Sequence, residues 1–209
     1  MKNSPLLYLL LFITLLSPPT WKAAAAQEAD PGDVVKRLND ALLQAMKKGD
    51  QVDFQERYQL LEPVISEAFA LPFMARVSTG RYWRELDGEQ RKTYLEKYRQ
   101  WTIASYANRF DDYSGQKFDI LSPEEEPTGP IVDVRSTLTK ANGEQIFFTC
   151  KVRKAGAQWR IVDVQVKGVS QLALTRTQFV DIFKKDGFDG LIALLDEKIE
   201  SLAAEPEAA

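Results

Sequence analysis

The clearest alternation of apolar and polar residues lies in Trp159–Ser170, read W-R-I-V-D-V-Q-V-K-G-V-S. Every second residue in Val162–Val166 is a valine, which is the period of a strand with one buried face. Gly168 interrupts this pattern, and Ser170 is a residue type that caps helices. The pattern therefore predicts a strand followed at once by a helix, with the rest of the chain covering this strand and its neighbours.

Three further runs show the alternation of a strand, and they are Phe118–Leu121, Val132–Leu138 and Ile146–Val152. Asn142-Gly143, between the second and third runs, is a strong tight-turn pair. Ala155–Ala157 contains a glycine and joins the third run to the valine-rich strand. Together the four runs predict a four-stranded antiparallel meander.

Helical periodicity precedes these strands. One helix is predicted from Pro31 to about Gly49, with proline at a first helical position. The apolar run Val52–Phe69 contains Pro63, which predicts at least two pieces because proline removes a helical hydrogen bond. Another short helix is predicted to begin at Pro72 and to end at Gly80.

A long helix rich in aromatic residues should follow. Asp87 and Gln90 have the spacing of a capping box, and the helix they open should run to about Tyr113. Its large aromatic side chains cover a broad face. Packing in a filled core explains that face, and so does the lining of a cavity; periodicity does not distinguish the two.

The chain returns to helix after the strands. We predict one helix over Leu172–Lys185, a break at Asp186-Gly187 and a second helix over Leu191–Leu202. The predicted fold class is α+β, with an antiparallel sheet of about four strands flanked and covered by helices. We expect a single domain at 27–203 and a disordered tail at 204–209.

Composition narrows the functions available to this chain. Hydrophobic residues make up 44% and charged residues 27%, as in ordinary globular proteins. The net charge of −3 gives no electrostatic footprint for nucleic acid. There is no histidine and one cysteine, Cys150, so imidazole and thiolate metal sites are nearly excluded. We expect no metal, no cofactor and no nucleic-acid partner.

The N-terminus has the layout of a secretory signal peptide. Lys2 precedes an apolar run of eleven residues, Leu6–Leu16, and small residues at Ala24–Ala26 offer a cleavage site. The run is too short for a membrane span, which needs roughly 20 residues. We therefore predict a signal peptide at 1–26 and an exported, soluble mature protein.

The residues that carry catalysis are largely missing. A nucleophilic triad needs a base, normally histidine, and no G-x-S-x-G or phosphate-binding loop occurs. Asp133 and Asp163, predicted on adjacent strands, form the best remaining carboxylate pair, but we expect them on a water-exposed strand face. Cys150 alternates with apolar residues and is predicted to be a small buried hydrophobe. The sequence favours binding over catalysis.

Three blocks of sequence resemble the MlaC (toluene-tolerance) family. They are G-R-Y-W-R-E-L-D-G-E-Q-R at Gly80–Arg91, the valine-rich run at Trp159–Ser170 followed by Thr175, and G-F-D-G-L-I-A-L-L at Gly187–Leu195. The resemblance covers about Asp33 to Ile199. The same pattern occurs in the hopanoid-associated HpnM branch, and the sequence leaves both branches open.

The resemblance implies a periplasmic phospholipid-binding protein with an apolar cavity between an NTF2-like sheet and the helices. It implies a carrier without enzymatic activity that shuttles phospholipid, or a hopanoid-type lipid, between two partners. These are an inner-membrane ABC transporter complex and an outer-membrane lipoprotein complex. Two alternatives remain, an NTF2-like enzyme using an inward Asp and Tyr, and a periplasmic adaptor with a solid core.

We expect eleven apolar and aromatic residues to line one cavity that holds acyl chains. The predicted lipid-binding residues are Phe73, Met74, Val77, Tyr98, Trp101, Tyr106, Val134, Phe148, Val164, Val166 and Phe179.

Overall fold

The computed structural model describes residues 30–121 and 129–204. The predicted signal peptide at 1–26 and residues 205–209 of the predicted tail lie outside the described residues. None of the described helices combines the length and the apolar character needed to cross a membrane.

Five helices and one antiparallel sheet make up the described chain. The helices are α1 (Pro31–Lys48), α2 (Phe54–Ala68), α3 (Leu71–Ser78), α4 (Gly88–Arg109) and α5 (Gln171–Ala203), with 3₁₀ turns at Gly49–Gln51 and Gly80–Arg84. The strands are β1 (Lys117–Leu121), β2 (Ile131–Thr139), β3 (Gln145–Ala155), β4 (Gln158–Val166) and β5 (Val169–Ser170), adjacent in that order. The α+β class and the meander are confirmed; only the two-residue β5 was not predicted.

Two of the hairpin turns show how the local sequence sets the backbone. Gly143 has φ of 84°, and the amide of Glu144 donates to Asn142 Oδ1 at 2.9 Å. Lys167 and Gly168 have φ of 51° and 82°, the pair of positive values that a type I′ turn requires. This second turn folds β5 back against β4, so the chain forms a short hairpin before the helix begins.

A β-bulge changes the predicted alternation of β4. Lys151 pairs with Asp163 but Val152 pairs with Ile161, so Val162 is an extra residue. Ile161 therefore shares the helix-facing side with Val164, and it is fully buried. The strict alternation predicted for Val162–Val166 fails at its first residue.

Helix boundaries follow the predicted capping signals at the N-termini. Asp30 accepts from the amide of Gly32 at 2.7 Å, with Pro31 at the first helical position. The capping box of α4 is complete, because Gln90 N donates to Asp87 Oδ1 and Asp87 N donates to Gln90 Oε1. The helix ends at Arg109, short of the predicted Tyr113, and the aspartates at 111 and 112 have low helix propensity.

The prediction that Pro63 divides its segment was wrong. Pro63 lies inside the continuous helix α2. Both Pro63 and Gln59, whose carbonyl loses its helical partner, are on the exposed face of the helix. Water can satisfy that carbonyl, so the proline does not interrupt the helix.

The helices are not equally close to the sheet. α1 packs along β1 to β4, and α2, α3 and α5 each contact β4. α4 packs mainly against α2, α3 and α5. α5 is broken at Gly187, as predicted, where φ of 71° and ψ of −163° are not helical. Four helices, α1, α2, α3 and α5, thus contact the sheet, and α4 is held by three of these helices.

Candidate binding site: an apolar cavity between helices and sheet

A cavity of about 190 Å³ lies between α4 and the sheet. Its wall takes side chains from every helix except α2, from β1 to β4, and from the residue after α2. The lining residues are Leu38, Asn39, Leu42, Phe69, Met74, Tyr98, Trp101, Thr102, Ser105, Tyr106, Arg109, Phe110, Phe118, Ser136, Phe148, Cys150, Val164, Val166, Gln171, Leu172 and Thr175. Most of them are apolar or aromatic, as in pockets for small apolar ligands.

Aromatic rings form one continuous side of this wall. Phe69 and Tyr106 lie 5.4 Å apart between ring centroids, and Tyr106 stacks on Phe110 at 5.8 Å. Phe118 then follows at 6.2 Å from Phe110, and Phe148 at 6.4 Å from Phe118. This series runs from α4 onto the sheet. Rings present a large apolar surface and have few rotatable bonds, so ordering them on this side of the wall costs little conformational entropy.

Three hydroxyl groups of the wall already donate to the backbone. Thr102 and Ser105 donate to the carbonyls of Tyr98 and Trp101, each at 2.8 Å. Thr175 donates in the same way to the carbonyl of Gln171 at 2.9 Å. Each hydroxyl bonds to the residue four positions earlier in its own helix. The cavity therefore behaves as more apolar than its residue types suggest.

Three ionisable groups of the wall, Tyr98, Tyr106 and Cys150, are held in their neutral forms. Burial, with a smaller contribution from the Asp163 charge, raises the pKa of the Cys150 thiol to about 12. Burial also raises the pKa of Tyr98 and of Tyr106 above the ordinary tyrosine value. Removing a group from water disfavours its charged form. Cys150 is only 4% exposed, which confirms the prediction of a buried hydrophobe.

Asp163 was predicted to lie on a water-exposed strand face, but it is buried. It is only 8% exposed, and its Oδ1 accepts from the amide of Leu172 at 3.1 Å. The β4–β5 hairpin folds the start of α5 over it. Ser170, the predicted cap, accepts from the amide of Ala173 at 3.0 Å. Asp163 and Ser170 together satisfy two amides at the N-terminus of α5.

The predicted pair of Asp133 and Asp163 does not form. The two residues lie on β2 and β4, which are separated by β3, and both are in register with Lys151. The Asp133 carboxylate accepts from Lys151 Nζ at 2.9 Å on the exposed side of the sheet. These two carboxylates therefore have structural partners of their own and do not share a site.

Comparison with known proteins places this geometry in a family. The family model of the MlaC protein matches residues 36–197. The chain belongs to the MlaC family. Among family relatives, the intermembrane phospholipid transport system binding protein MlaC of Haemophilus influenzae is 28% identical over 130 residues. That match covers 61% of this chain and 59% of the relative.

Two further relatives cover more of this MlaC-family chain. The toluene tolerance protein Ttg2D of Pseudomonas putida is 26% identical over 202 residues, which are 93% of this chain and 88% of the relative. A phospholipid-binding protein from Ralstonia solanacearum, solved in complex with a phospholipid, superposes with a TM-score of 0.75 at 25% identity. The superposition covers 84% of this chain and all of that one.

Seven of the eleven predicted lipid-binding residues line the cavity of this MlaC-family protein. They are Met74, Tyr98, Trp101, Tyr106, Phe148, Val164 and Val166. The aromatic helix and the valine-rich strand supply most of them, from opposite sides. That these residues contact lipid remains a prediction.

The other four predicted residues lie outside the lining. Phe179 is fully buried behind it, with its ring 5.4 Å from that of Trp101. Val134 is a core residue of β2. Phe73 and Val77 lie on another side of α3, because that helix turns Met74 and Ala75 inward. Apolar residues occur on both sides of α3, so the sequence did not show which of them would face the cavity.

Several lining residues were not predicted, and α1 contributes the clearest examples. Leu38 and Leu42 lie on the buried face of the helix predicted from Pro31 to about Gly49, but helical periodicity does not show which other elements that face meets. Phe110 and Phe118 flank the loop between α4 and β1 and join the wall only because that loop brings them within 6.2 Å. No local pattern marks residues whose role depends on such a connection.

Proposed function

We propose that this protein is a phospholipid carrier that holds acyl chains in the cavity between α4 and the sheet. The observation that carries the proposal is the continuous aromatic and aliphatic lining of that cavity. The phospholipid held by the Ralstonia relative on the same fold supports the choice of ligand. A hopanoid-type lipid would use the same apolar wall and is the second candidate.

Shelter from water is the physical task of such a carrier. Burying one CH₂ group is worth about 0.8 kcal/mol, so an acyl chain leaves a membrane only if another apolar surface receives it. A dry cavity of about 150 Å³ is known to hold a benzene-sized ligand. The cavity here, about 190 Å³, has room for part of one acyl chain. A lipid with two chains therefore requires the wall to move outward.

The headgroup belongs at the cavity mouth in this proposal. Arg109 lines the cavity and is exposed to solvent, so it marks the opening. Its guanidinium has the fork geometry that suits phosphate oxygens. Acyl chains would point from Arg109 toward the aromatic wall, and no covalent chemistry is needed.

We further propose that the mature protein works in the periplasm, between an inner-membrane ABC transporter complex and an outer-membrane lipoprotein complex. The signal-peptide layout and the family support this location. Protein recovered from the periplasm should begin at Gln27, after cleavage at Ala26. N-terminal sequencing of that protein tests the location, and an intact Met1 on membrane-retained protein would contradict it.

The two alternatives have less support. A solid-core adaptor does not account for the lined cavity. An NTF2-like enzyme would need an inward carboxylate near a tyrosine. Asp163 is buried and its charge acts on Tyr98 and Tyr106, but its Oδ1 accepts from the amide of Leu172 and so has a structural role, and Asp133 pairs with Lys151. The raised pKa values of Tyr98 and Tyr106 keep both phenols protonated at ordinary pH. The carrier proposal uses these groups as apolar wall.

Mass spectrometry of an organic extract from the purified mature protein tests the ligand directly. We expect phospholipid at a stoichiometry near one per protein, and a hopanoid signal would select the second candidate. A protein purified without detergent that yields no lipid, and that takes none up from vesicles, would contradict the carrier function.

A further inference from the structure

A groove outside the cavity brings four arginines together. Arg76 comes from α3, Arg81 and Arg84 from the 3₁₀ turn Gly80–Arg84, and Arg176 from α5. All four residues are exposed. Along residues 30–121 and 129–204, none of them forms an ion pair with a carboxylate.

The local structure holds these side chains in place. Gly80 has φ of 58°, and a Cβ there would lie 3.4 Å from Arg176 Nε, so a residue without a side chain allows this approach. Arg81 donates to the Tyr82 hydroxyl at 3.1 Å and lies 4.9 Å from the centre of that ring. The Arg76 guanidinium lies 5.7 Å from the ring centre of Phe73. Each guanidinium has five N–H donors, so these exposed groups retain donors for a ligand.

The charge of the groove is opposite to that of the molecule. The whole chain has a net charge of −3, yet four cationic groups lie side by side here. Glu85 is the carboxylate that acts electrostatically on Arg81. Clustered like charges repel one another, so an anionic surface that neutralises them is favoured to bind. Guanidinium groups bind phosphate with two parallel hydrogen bonds.

We propose that this arginine groove docks the protein onto the phosphate headgroups of an anionic bilayer. The groove also contains Val77 and Trp83, and the Trp83 ring lies 5.5 Å from the Arg91 guanidinium. Tryptophan is enriched at the headgroup level of membranes, and exposed basic residues attract anionic lipid headgroups. The inference rests on the proposed function in one respect, that a lipid carrier has to meet membranes.

Vesicle binding of the mature protein tests this docking site. Sedimentation with phosphatidylcholine vesicles is compared with sedimentation with vesicles containing phosphatidylglycerol, at low and at physiological salt. The test variant combines Arg76→Gln, Arg81→Gln and Arg176→Gln. The matched control combines Lys36→Gln, Lys48→Gln and Lys117→Gln, which change the net charge equally at exposed sites elsewhere.

Wild type and the lysine control should bind the anionic vesicles, more weakly as salt rises. The arginine variant should lose at least about tenfold in binding, because each basic residue near an anionic surface contributes separately. Equal loss in both variants, or no preference of wild type for anionic vesicles, would overturn the proposal and leave the groove to an acidic protein partner. Lipid extracted from the same samples separates the two hypotheses. An arginine variant that keeps its lipid but loses vesicle binding supports docking. Wild type that binds vesicles but yields no lipid contradicts the carrier function and leaves the docking proposal standing.

Discussion

Asp163 shows how a single residue of this protein can be mistaken for a surface or a catalytic group. Its sequence neighbours alternate as in a half-buried strand, which places it on the polar face. The hairpin to β5 instead folds the start of α5 over this position and buries its carboxylate. Its carboxylate then acts as a second cap for that helix, beside Ser170.

Replacement of Asp163 should therefore cost stability. We expect Asp163→Ala to lower the free energy of unfolding by about 1–3 kcal/mol, because the buried amide of Leu172 loses its acceptor. Asp133→Ala is the matched control, since it removes an exposed ion pair worth about 0–1 kcal/mol. Urea unfolding of both variants provides the measurement. Equal, small effects would show that Asp163 does not cap α5.

Val164 and Val77 form a second matched pair at this scale. Val164 lines the cavity, while Val77 is half-buried on a side of α3 outside the lining. Val164→Trp should fill the cavity and exclude lipid at little cost in stability. Val77→Trp should keep full lipid content and lose at most about 1–3 kcal/mol from local overpacking.

The readout for this pair is bound lipid per protein, measured together with the melting temperature. Loss of stability in Val164→Trp with no loss of lipid would mean that Val164 belongs to a filled core and does not contact the ligand. Loss of lipid in Val77→Trp alone would place the binding site elsewhere.

At the scale of elements, the break in α5 is the feature most dependent on one residue. Gly187 has φ of 71° and ψ of −163°, a combination that only glycine adopts without strain. Gly187→Ala should destabilise the protein by about 1–3 kcal/mol. Gly88 lies at the start of α4, and a Cβ added there would have no neighbouring atom within 4 Å. Gly88→Ala should therefore be neutral or stabilising by up to about 1 kcal/mol. Chemical unfolding distinguishes these outcomes, and a stable Gly187→Ala variant would mean that the helix can straighten.

Elements with strong local signals were predictable from sequence. The capping box at Asp87, the proline start of α1 and the Asn142-Gly143 turn all depend on residues within four positions of one another. The bulge at Val162 was not predictable, because it depends on the register between two strands. The prediction that Pro63 divides its segment failed for a related reason. Its effect depends on which side of α2 faces water, and this is set by tertiary packing.

The whole molecule explains why the cavity could be suspected but not located. Seven lining residues followed from the apolar faces of α3, α4, β3 and β4, which local periodicity shows. The space between them exists because α1, α2, α3 and α5 contact the sheet and α4 packs mainly against three of those helices. That spacing is a property of the assembled layers. Residues such as Leu38 and Phe118 join the lining through it, and no stretch of sequence contains it.

A cavity inside the core also makes bound lipid part of the folded molecule. A ligand that binds only the native state stabilises it by about 2.7 kcal/mol when its free concentration is 100 times the dissociation constant. For a domain of this size that corresponds to a rise in melting temperature of roughly 5–10 °C. We therefore expect delipidated protein to melt at a lower temperature, and added phospholipid to restore the higher value in wild type.

Val164→Trp should show no such response because its cavity is filled, while Val77→Trp should respond as wild type does. Differential scanning calorimetry before and after delipidation gives the comparison. A melting temperature that is indifferent to lipid in wild type would mean that lipid does not occupy the cavity beneath α4.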